Sequence, residues 1–108
     1  MNGDCYEAAA KFVVAHAGFP SIRLVHGEVT GTGGAVLGIR YGHAWVELGD
    51  AVIDPSNGRC VVARRRDYYA AGRVEALQSY TFKEARQWML RTRHYGPWEN
   101  TTETTKPT

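Results

Sequence analysis

Cys5, His43 and Asp54 are the residues of this chain whose types and setting could together do chemistry. A thiol reacts as its anion, and the amino end of a helix favours that anion through its unpaired N–H groups and partial positive charge. Cys5 holds such a place, in the first turn of CYEAAAKFVVAHAGFP, which reads as a helix. An imidazole beside the thiol would act as base or ion-pair partner, and a carboxylate behind the imidazole would fix its orientation and tautomer. His43 and Asp54 fall together in RYGHAWVELGDAVIDPSNG, which reads as one tight hairpin.

The hairpin is what would position the pair. YGHAWVEL and AVIDP are strands joined by Gly49 and Asp50, and a glycine at the first of two loop positions suits a type II′ turn. That turn sets Leu48 opposite Ala51, Glu47 opposite Val52, Val46 opposite Ile53 and Trp45 opposite Asp54. His43 is then diagonal to Asp54 on the same sheet face, roughly 7–8 Å away between backbones, a gap the two side chains can bridge. Ala44, Val46, Leu48, Ala51 and Ile53 form the apolar opposite face.

The helix carrying Cys5 has Ala8, Ala9, Phe12 and Val13 at spacings of three and four, a start capped by Asn2 or Asp4, and a stop at Gly18 and Pro20. Its alanines let neighbouring backbone approach, as a central helix beside a sheet requires. Residues 21–30 alternate as a strand. The glycine-rich run 31–38 lacks the Lys-Ser/Thr and the helix of a phosphate loop and reads instead as a flap near the site. A strand at 59–63, a short helical piece in RRRDYYAAG ending at Gly72, and a strand at 74–80 follow. TFKE is a capping-box signature, opening a second helix over 82–93 with Phe82, Ala85, Trp88 and Met89 as its apolar stripe. The polar tail ENTTETTKPT, 99–108, reads as disordered, leaving one domain over 1–98.

With 108 residues, 44% hydrophobic and 22% charged, the chain has the composition of a single globular core. No run of apolar residues is long enough to span a membrane, and Cys5 lies too near Met1 for a cleavable signal to precede it, so the expected setting is cytoplasmic, with Cys5 and Cys60 as thiols. The net charge of +2 is modest, and the arginine runs lack the interleaved aromatics of a nucleic-acid module, which argues against nucleic acid as partner. Glu28 and Glu47 read as exposed strand residues, and His16, His26 and His94 have no ligand spacing. Cys5, His43 and Asp54 as three mixed ligands at long spacing make a weak zinc signature, so no metal or cofactor is expected.

The stretches GDCYEAA, GHAWVEL and VIDPSNG resemble the three motif regions of the transglutaminase-like cysteine enzymes, a branch of the papain-like fold. The resemblance covers about residues 3–58 and is silent on the final helix; the tryptophan common near the family's cysteine is replaced by Tyr6. It implies an α+β papain-like fold, with an N-terminal central helix on an antiparallel sheet and a C-terminal helix. It makes Cys5 the nucleophile, His43 the base and Asp54 the orienting acid of a triad. The implied function is a cysteine hydrolase or acyltransferase, acting on a peptide, isopeptide or side-chain amide of a protein or peptide substrate through a thioester at Cys5. The backbone N–H of Cys5 and the side chain of Asn2 are candidate oxyanion donors. Trp45 is either a cleft wall or a cover over the His43 and Asp54 pair. The alternative is a non-catalytic protein-binding module on the same fold, such as a phage or mobile element could carry. Oligomeric state is not legible.

Overall fold

The computed structural model describes residues 4–56 and 59–98 of the chain. Its elements run α1 (Asp4–Ala15), β1 (Ile22–Thr30), β2 (Arg40–Leu48), β3 (Ala51–Asp54), β4 (Val61–Arg64), α2 (Arg65–Gly72), β5 (Glu75–Thr81) and α3 (Phe82–Thr92). The five strands form one antiparallel sheet in the order β4-β3-β2-β1-β5. The architecture is α+β. Asn2, Asn57, Gly58 and the segment 99–108 lie outside the described residues, and with them the proposed cap and oxyanion role of Asn2 and the expected disorder of the tail.

The β2–β3 hairpin has the register its turn dictates: Val46 pairs with Ile53, Glu47 with Val52 and Leu48 with Ala51. Gly49 sits at φ +61°, the left-handed conformation that a two-residue hairpin loop demands and glycine adopts without strain. At the far end of the chain the capping box forms as its sequence requires. Thr81 Oγ1 accepts from the Glu84 N–H at 3.1 Å, and Glu84 Oε1 accepts from the Thr81 N–H at 2.9 Å.

Alternating residues send apolar side chains to both faces of the sheet. Ile22, Leu24, Ala44 and Val46 pack against Ala9, Ala10 and Val13 of α1 and Ala85 of α3. On the other face Val25, Val29, Trp45 and Val52 are covered by Tyr68 and Tyr69 of α2, together with Tyr41 and Val74. The sheet therefore has helices on both faces, and the polar-looking face of the hairpin is buried as well. This corrects the reading of Glu47 as an exposed strand residue. Its carboxylate accepts from Trp45 Nε1 at 3.0 Å and from the Tyr69 hydroxyl, and Arg65 lies 3.5 Å away, because α2 folds over that face.

Two glycines let layers approach. A Cβ on Gly27 would stand 2.1 Å from the Glu75 carbonyl oxygen and 2.9 Å from the Trp45 ring, beside the irregularity in β1–β5 pairing between His26 and Gly27. A Cβ on Gly42 would stand 2.9 Å from the Tyr6 hydroxyl. The first turn of α1 thus presses close to β2 one residue before His43, whose side chain shares a sheet face with Trp45.

Candidate active site

His43 is the centre of the site. Its Nε2 lies 2.8 Å from Asp54 Oδ2, and its side chain also hydrogen-bonds with that of Cys5. Cys5, His43 and Asp54 are thus brought together from the amino end of α1, the middle of β2 and the end of β3. Cys5 is 4% exposed and His43 6%. Cys60 is exposed, and among the described residues neither cysteine is in a disulfide.

Burial alone would drive the His43 imidazolium to lose its proton. The hydrogen bonds and charges of Asp54 and Cys5 outweigh that cost and raise its pKa to about 9. Burial likewise disfavours the Asp54 carboxylate, yet the hydrogen bonds and charge of its partners hold it below the usual aspartate value. Those partners go beyond His43. Tyr68 donates its hydroxyl to Oδ2 at 2.8 Å, and Ser56 donates its hydroxyl to Oδ1 at 2.8 Å, with its N–H at 3.4 Å from the same oxygen. An ionised carboxylate only accepts, and here both oxygens are occupied by donors.

Tyr68 and Ser56 were not singled out as site residues by sequence reasoning. A signal existed for Ser56, since a serine two residues after an aspartate in a turn commonly returns its hydrogen bonds to that carboxylate. Tyr68 carried none: it reaches Asp54 across fourteen residues from a helix whose facing the sequence leaves open. The phenol is buried against the carboxylate, and both effects push its pKa up and keep it a donor.

Trp45 is fully buried and stacks near His43, with ring centroids 6.1 Å apart at 24°. The rings of Tyr68 and Tyr69 also contact it, tilted at 5.8 Å and edge-on at 6.1 Å between centroids. It is a cover behind the imidazole rather than an exposed wall. His26, given no role by its spacing, is buried among the rings of Tyr6, Tyr80 and Trp98, and its Nε2 has no hydrogen-bond partner. Burial lowers its pKa to about 4. The loop 31–38, in which Gly34–Val36 form a single 3₁₀ turn, borders the site: Thr32, Gly33, Gly34 and Val36 line a cavity together with His43 and Asp54. No group of three or more His, Cys, Asp or Glu side chains suited to a metal occurs among the described residues, and no helix there is long and apolar enough to cross a membrane.

No protein-family model matches the chain, and neither curated proteins nor solved structures yield a match.

Proposed function

We propose that the chain is a cysteine-dependent amide hydrolase or acyltransferase of the transglutaminase-like, papain-fold kind, working through a thioester on Cys5 with a cytoplasmic setting. One observation carries this reading: His43 hydrogen-bonds both to a helix-terminal thiol and to a fully satisfied carboxylate. In the reaction the Cys5 sulfur adds to the substrate carbonyl, the C–N bond breaks, and the imidazolium proton passes to the leaving amine. Water then attacks the thioester, His43 takes up its proton, and the acid departs, which restores the Cys5 thiolate beside the His43 imidazolium. An amine in place of water would give transfer. Asp54 keeps the ring aligned and balances its charge throughout.

Timed alkylation with iodoacetamide and peptide mapping tests the reading. At pH 6 Cys5 is expected to react faster than the exposed Cys60, because the imidazolium offers its anion a counter-ion, and His43→Ala should abolish the advantage. Faster labelling of Cys60 in the folded protein overturns it. The burial of Cys5 favours the rival, a protein-binding module on the same fold. That reading requires an inert thiol and no amide turnover.

A further inference from the structure

Two cavities meet at the His43 and Asp54 pair. One, of about 440 Å³, is walled by Val29, Ala63, Ala71 and Val74 along the ends of β1 and β4 and the face of α2. The other, of about 520 Å³, is bordered by Gly33, Gly34, Ser56 and Arg59. Thr32, Tyr41, His43, Asp54 and Val61 belong to both, so the two are adjoining halves of one cleft with the histidine at the divide. Each volume lies in the range of small-ligand pockets, enough for a residue-sized group.

The halves differ in chemistry. Small side chains at Ala63 and Ala71 open the first to an apolar group, and its valines give that group a surface to bury against. The second holds an exposed cation: Arg59 is in no ion pair among the described residues. Asp54 borders it, but that charge is matched by His43 at 2.8 Å. The remaining carboxylate, Asp67, lies only in the apolar half, on an exposed turn of α2 beside Arg66 at 3.9 Å. A ligand carrying both an apolar side chain and an anion would therefore seat its anion on the Arg59 side. A planar guanidinium suits a carboxylate, which it can bind with two parallel hydrogen bonds.

We infer that the cleft receives the carboxy-terminal residue of a peptide or an N-acyl amino acid, its aliphatic side chain against Ala63, Ala71 and Val74 and its free carboxylate on Arg59. The inference rests on the proposed thioester chemistry for the reaction but not for binding. In that reaction the terminal amide is cleaved: sulfur bonds to the acyl carbon, the C–N bond breaks, and the freed amino group of the terminal residue takes the proton from His43. Water then returns the acyl group as an acid. The enzyme is a trimmer of chain ends, and a carboxylate already amidated or extended by a further residue is excluded from the Arg59 half.

Binding is measured by NMR titration of the full chain carrying Cys5→Ala, so that nothing turns over, with N-acetylleucine, N-acetylleucine amide and N-acetylglycine. N-acetylleucine is expected to bind at least tenfold more tightly than either of the others. Arg59→Gln should erase the preference for acid over amide and keep leucine over glycine; Ala71→Leu should erase the preference for leucine and keep acid over amide. Both positions are exposed, and circular dichroism verifies that each variant folds. Equal affinity for acid and amide, or an acid preference that survives Arg59→Gln, overturns the inference. Iodoacetamide reactivity of Cys5 in the unmutated chain separates the two readings. An inert thiol with these preferences intact sinks the hydrolase and keeps the cleft assignment, whereas a reactive thiol with no acid preference does the reverse.

Discussion

Tyr68 donates its hydroxyl to Asp54 Oδ2 at 2.8 Å, the same oxygen and the same distance at which the carboxylate holds His43 Nε2. The two donors compete for one oxygen's electron density. A hydrogen bond to the charged form stabilises it, so Tyr68 makes Asp54 a weaker base than His43 alone would leave it.

Removing that hydroxyl therefore has a signed consequence. In Tyr68→Phe the carboxylate becomes a stronger acceptor for His43, and the titration midpoint of the imidazolium should move upward from its value in the unmutated chain. Proton NMR of the ring reads this directly. A midpoint that stays put, with the ring resonances unshifted, would reduce Tyr68 to a packing residue over Trp45.

Asp54→Asn tests the orienting role. The amide keeps the shape and one acceptor but can present an N–H to Nε2 and so favour the wrong tautomer, a change that costs roughly 10⁴-fold in the serine triad. The variant is expected to remain folded by circular dichroism and to lose most amide turnover, with Ser56 still able to donate to the remaining oxygen. Turnover near that of the unmutated chain makes Asp54 structural.

The hairpin that joins His43 to Asp54 was legible because its information is local: a glycine in a two-residue loop fixes the register, and register fixes which residues share a face. The capping box of α3 was legible for the same reason. What escaped came from α2. The alternation of β2 marks Glu47 as polar and so as solvent-facing, but Trp45 and Val52 on the same face demand cover, and the tyrosine pair of α2 supplies it with hydroxyls aimed at Glu47 and Asp54. Periodicity reports which residues share a side, not what folds over them. His26 shares the phase of Ile22 and Leu24, but Glu28 on that phase is exposed and Val25 on the other is buried, so alternation did not single out the burial of His26.

Thr81→Ala should remove one half of the reciprocal capping box at the start of α3 and leave the Thr81 backbone in place. Loss of such a cap costs about 1 kcal/mol. Urea unfolding followed by circular dichroism should show a lower midpoint at an unchanged slope. The capping box touches neither Cys5 nor His43, so Cys5 alkylation rates should not change, and a parallel loss of reactivity would show that the site depends on α3 through the packing of Ala85 on α1.

Two histidines act on stability from opposite sides of neutrality, and Asp54, held below its usual value, adds to the loss at lower pH. His26 is held below its ordinary value, at about 4, because burial among Tyr6, Tyr80 and Trp98 opposes the charge. A depressed folded pKa means that the unfolded chain binds the proton more readily, so stability is full above about 6.5 and is lost as pH falls toward 4, by on the order of 3 kcal/mol if the whole shift is expressed. His43 runs the other way. Its raised value means that the folded chain holds the proton, so its contribution is full below about 6.5 and is lost as pH climbs through about 9. The curve of unfolding free energy should therefore peak near neutrality. His26→Phe removes the ionisable group while keeping a ring in the aromatic nest, and should flatten the acid limb between pH 6.5 and 4 without altering the alkaline limb. Denaturant melts at half-unit pH steps measure both limbs, and an acid limb equally steep in His26→Phe would assign the loss to carboxylates such as Asp54 instead.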